Sequence, residues 1–168
     1  ITLWRLDELA EQAGTRAWSM LFAPVEPGPD YDGVPQRLHH AVRSAGLGNL
    51  SLPAFWRLST DRVAVSRVVV VYEIEAQRAV HLARRYEQSG VVQVQRIPFE
   101  QVVVLDVVGE QRVQLPRYEP AAIADALARM FGADAVAVVY RAMGLGESQL
   151  MGVAQRRLQT QEEFDAVA

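Results

Sequence analysis

An arginine inside an apolar run, a histidine pair, a Ser-Thr dipeptide and a Glu-Gln dipeptide are the groups in this 168-residue chain whose types and spacing could do chemistry. Arg5 stands in "LWRLD", between Trp4 and Leu6 and two residues before Asp7. An unpaired buried charge costs several kcal/mol, so Arg5 is either exposed or met by an anion, from Asp7 or Glu8 within the chain or from a ligand. Its guanidinium is a planar fork of donors suited to phosphate or carboxylate. His40 follows His39 in "LHHAVR", where a helix-surface position and a hydrogen-bonding role in a site both stay open. Ser59 and Thr60 either cap a turn before Asp61 or brace a site. Glu87 and Gln88 lie in "RRYEQSG", which reads as the exposed end of a helix with Gly90 as its stop. Three histidines and no cysteine give no metal cluster and no thiolate nucleophile.

These groups must be positioned by the elements between them. Residues 1–6 read as a strand, with Asp7 capping a short helix that ends near Gly14, and Trp18 to Ala23 form a second apolar piece. The prolines, glycines and aspartates of "PVEPGPDYDG" make a loop. Residues 35–45 have helical spacing through Leu38, Ala41 and Val42, and "GLGN" stops them. Strands are expected over 54–58 and 67–75, the latter opening on four valines, as a strand buried on both faces does. Helical spacing returns over 76–88 through Ala79, Val80, Ala83 and Tyr86. Short strands follow near 91–95, 100–108 and 111–115, with Gly109-Glu110 as a hairpin signal. A helix runs from Pro120 near its first position to Gly132 at its end, and residues 133–143 and 147–166 also read as helical. The expected fold is therefore α+β, with a mixed, strand-rich core over 1–117 and a helical extension over 118–168.

Half of the residues are apolar, enough to bury a core, and the formal net charge of −3 removes the electrostatic case for nucleic acid as the main partner. No apolar run reaches the length of a membrane span, and no signal peptide is visible; the opening Ile1 fits a processed secreted protein or an excised domain. All 17 basic residues are arginine. GC-rich codon usage accounts for that, as does survival in a eukaryotic cytosol, because lysine is the side chain that carries ubiquitin.

Taken in order, five pieces of the first 105 residues resemble the mono-ADP-ribosyltransferase toxins of the cholera and pertussis type. They are "LWRLD", the loop "PGPDYDG" followed by "LHHAVR", then "FWRLST", "VVYEIEA" and "RIPFEQV". The resemblance implies an ADP-ribosyltransferase-like core that binds NAD as substrate. Arg5 and Asp7 would hold the phosphate and ribose side, Ser59 and Thr60 would brace the site, and His40 would hold a ribose hydroxyl or backbone group. It further implies a secreted bacterial toxin or effector that modifies a protein target in a host cell, with a delivery partner docking on the C-terminal helices. The family's Glu- or Gln-x-Glu motif falls on "QSG", with Gln88 at the first position and Gly90 where the catalytic glutamate belongs. Glu87, one residue earlier, is the substitute carboxylate if the loop shifts. Two further readings stand beside the transferase: a catalytically lapsed relative that serves as a binding module, and an unrelated α+β interaction domain.

Overall fold

The computed structural model describes residue 14 and residues 17–23, 33–59, 62–96, 99–132 and 135–138, with side chains described outside 33–35, 50, 52–59, 62–67, 120 and 135–138. Arg5, Asp7 and Thr60, and the expected elements over 1–13 and 147–166, lie outside the described residues.

Alternation of apolar residues builds most of the sheet. Strands β1 (Ala17–Phe22), β2 (Asn49–Ser59), β3 (Arg62–Tyr72), β4 (Gly90–Gln95), β5 (Gln101–Asp106), β6 (Gln111–Leu115) and β7 (Ala135–Val138) join in the order β6-β5-β4-β1-β3-β2-β7. Every ladder among them is antiparallel, so the sheet is not the mixed one expected. Side chains alternate across a strand. Trp18, Met20 and Phe22 of β1, Val68 and Val70 of β3, Val92 and Val94 of β4, and Val102 and Val104 of β5 therefore fill one face. Leu21, Val69, Val71 and Val91 fill the other. The four-valine run of β3 is buried on both sides, as its composition requires.

Three helices cover these faces. Helix α1 (Gly33–Ser44) buries Leu38 and Val42, and helix α2 (Ala76–Arg85) buries Ala79 and Ala83, each pair one turn apart and both against the Leu21–Val69 face. The small Ala79 and Ala83 let α2 lie close to the sheet. Helix α3 (Pro120–Phe131) buries Ile123, Ala126 and Leu127 against the opposite face. Proline occupies its first turn, and Gly132 closes it at φ 70°, a left-handed conformation that glycine adopts without steric cost. Tyr118, just before α3, stacks edge-on against Trp18 with ring centroids 5.9 Å apart.

The chain is α+β, but the segment after residue 117 is not wholly helical. Residues 135–138, read as helix from their alanines, form β7 and pair with Ala54–Arg57 of β2. A strand neighbour that supplies ladder hydrogen bonds overrides so weak a propensity. Pro53 sits one residue before that pairing, where its missing N–H deprives β7 of nothing.

Candidate functional site

The loop expected to carry the reacting groups is locked into the core. Helix α2 stops at Arg85, and Glu87 supplies the left-handed residue of the turn, at φ 55°. The Gln88 N–H donates to the Ala83 carbonyl (2.8 Å) and the Ser89 N–H to the Phe22 carbonyl (2.8 Å), while the Ser89 carbonyl accepts from Val107 N–H (2.9 Å). Helix α2, strand β1 and the residue after β5 thus hold Gln88 and Ser89. Glu87 projects into solvent. Gln88, expected on an exposed helix end, is 2% exposed, and its Nε2 donates to the Tyr86 carbonyl at 2.9 Å. That bond spends its amide on the turn, because a buried polar group without a partner is costly.

Gly90 is not the helix stop; it is the first residue of β4 and faces the α3 side of the sheet. A Cβ there would lie 2.4 Å from Phe22 Cζ and 2.6 Å from Phe131 Cζ. These two rings stack edge-on with centroids 5.0 Å apart. The place where the resemblance puts a catalytic carboxylate is filled by aromatic carbon.

The other expected site residues are dispersed. His40 is exposed on α1. Ser59 pairs with Arg62 at the outer end of the β2–β3 hairpin, while Val69 is the β3 residue nearest that end that pairs with β1. Seven residues of β3 separate the two, roughly 24 Å of strand. Glu87 and Gln88 are the only members of the expected set that the described structure places side by side.

Sequence reasoning passed over a trough of about 630 Å³ between α2 and the outer strands β4, β5 and β6. Val80, Val103 and Leu105 floor it, and His81, Arg84, Gln93 and Arg112 rise around it. Cross-strand register builds the floor: Val91, Leu105 and Arg112 form one row, and Gln93, Val103 and Gln114 the next. Helical spacing builds the wall, because Gln77, His81 and Arg84 are i, i+4 and i+7 on α2. The Gln93 amide donates to the Ala76 carbonyl at 3.0 Å and ties α2 to β4.

Among the described residues no carboxylate lines this trough, but Asp106 and Glu110 line an adjoining hollow of about 260 Å³ that shares Val80, Arg84, Leu105 and Arg112 with it. Asp106 Oδ1 already accepts from the N–H groups of Val108 and Gly109, at 3.1 and 2.8 Å. Arg84 and Arg112 are exposed and engage no carboxylate among the described residues. Two guanidiniums and an imidazole over an apolar floor can grip an anion that also carries apolar surface.

No family model, curated protein or solved structure matches this chain. Among the described residues, no cluster of His, Asp or Glu could hold a metal ion, and no helix is long and apolar enough to cross a membrane.

Proposed function

We propose that this chain is a binding module for an anionic ligand, the alternative to the NAD-dependent mono-ADP-ribosyltransferase to which the motif resemblance leads. The observation that carries the reading is the trough, with Arg84, Arg112 and His81 set over Val80, Val103 and Leu105, while the acidic Asp106 and Glu110 stand in the adjoining hollow. The Gly90 environment supports it further. Transferase chemistry on NAD needs a carboxylate beside the ribose to stabilise the positive charge that develops as nicotinamide leaves. Phe22 and Phe131 fill the space where that carboxylate would stand, and Glu87 lies exposed on the far side of the turn.

Calorimetric titration with pyrophosphate and with NAD tests the proposal, alongside an assay for nicotinamide release. Saturable binding of either anion, weakened about tenfold by Arg84→Ala with Arg112→Ala, is the expected result. Nicotinamide release that Glu87→Gln abolishes would restore the transferase reading and overturn this one.

A further inference from the structure

Building on the anion-binding reading, we infer that the ligand is an acidic peptide segment in extended conformation, which the protein captures as an added strand on β6. Strand β6 is the outermost of the described strands at its end of the sheet. Among the described strands its five residues pair with β5 alone, and alternate N–H and C=O groups on the other side face away from β5. Such an edge recognises peptide backbone.

Alternation on β6 then specifies the side chains of the guest. Val113 and Leu115 turn toward the α3 side and pack on its core, which fixes the facing of the strand. Arg112 and Gln114 consequently stand on the trough side, at the ends of the two floor rows. A guest strand extends those rows by one place, with its side chains about 5 Å from Arg112 and Gln114. Alternate acidic residues on the guest would meet Arg112, which lines the trough together with Arg84. The intervening positions would lie beside Val113 and Leu115 and suit apolar residues. The guest pattern is acidic alternating with apolar.

Charge selects this guest over the other candidates for an open edge. A basic strand is repelled by Arg112, and a nucleic acid offers anionic groups to the arginines but no extended peptide backbone to pair with the β6 edge.

The test uses fluorescence polarisation with a short labelled peptide alternating Glu and Val. Three comparators accompany it: the same peptide with Lys for Glu, the same peptide N-methylated at alternate residues in both phases, and unlabelled pyrophosphate as competitor. Binding is expected for the Glu peptide and for one of its two N-methylated forms, with pyrophosphate competing, and not for the Lys peptide. Arg112→Ala should weaken it about tenfold, and N-methylation in one phase should remove it by blocking the backbone bonds while keeping every charge. Equal binding of both N-methylated peptides would overturn strand addition, and equal binding of the Lys peptide would overturn the charge assignment. Binding of pyrophosphate without the Glu peptide would sink this inference and leave the anion-binding module standing. Binding of neither would sink both. Sedimentation showing a dimer that the peptide does not dissociate would assign the edge to a second copy of the chain instead.

Discussion

Gly90→Ala is a one-methyl change whose cost can be worked from the structure. The added carbon would lie 2.4 Å from Phe22 Cζ and 2.6 Å from Phe131 Cζ, against roughly 3.5–4.0 Å for ordinary carbon contacts. Both rings must therefore retreat by about 1 Å. Phe22 is fully buried on β1, and Phe131 is half-buried at the last turn of α3. Overpacking of this kind costs about 1–3 kcal/mol. The loss of unfolded-state freedom on replacing glycine returns about 0.4–1 kcal/mol. The net expectation is a loss of about 1–2 kcal/mol, or roughly 2–8 °C in Tm for a chain of this size.

Urea denaturation followed by circular dichroism measures the change, and an unchanged slope shows that the surface exposed on unfolding is the same. Combining Gly90→Ala with Phe131→Leu should recover part of the loss, with a coupling of more than about 0.5 kcal/mol. A Gly90→Ala protein as stable as the parent would refute the packing argument. So would a Gly90→Glu protein that folds with parental stability, because that variant adds the desolvation of a carboxylate to the same clash. With such a result the transferase reading would regain its missing group.

Two other substitutions have outcomes fixed by local geometry. Gly132→Ala should cost about 1 kcal/mol, because a Cβ is strained at φ 70°, and Gly132→Asn should cost less; urea midpoints give both values. Burial holds the Tyr118 hydroxyl far above its ordinary value near 10, with Arg96 pulling part of the way back. Above pH 10 the unfolded chain ionises this tyrosine while the folded chain keeps its proton. Stability is therefore full below pH 10 and falls as pH rises, by up to about 1.4 kcal/mol per pH unit from this group. Tyr118→Phe should flatten that fall in urea titrations between pH 9 and pH 11.5. With no cysteine and no lysine, the side chains that titrate in this window are tyrosines, which makes phenolate absorbance a direct check.

Much of the architecture was legible because single signals were strong. Pro120 and Gly132 bracket α3 in the sequence as they do in the fold, and the four valines of β3 announce a strand covered on both sides. Gly109-Glu110 marks the β5–β6 hairpin, where Asp106 closes the turn and Glu110 takes φ 56°. Errors arose where one residue type serves two ends. Gly90 resembles a helix stop, yet it is glycine because two phenylalanines leave no room for a side chain. Gln88 resembles an exposed helix end, yet the turn folds its amide inward. The alanine-rich residues 135–138 became a strand because a partner some eighty residues earlier was waiting. The trough was invisible in the linear chain because Arg84 and Arg112 belong to elements that only the sheet register brings together.

Helix α3 carries the chain from the β6 edge of the sheet to the β7 edge, and this has a consequence for synthesis. The β2–β3 hairpin is complete at Tyr72, but α3, which covers the Met20–Val70 surface, ends only at Phe131, about 60 residues later. At ribosomal speeds that interval lasts several seconds. Throughout it, one side of the growing sheet lacks its covering helix and is available to chaperones and to other nascent chains. The last of the described helices to leave the ribosome is thus the one that makes the earlier strands safe.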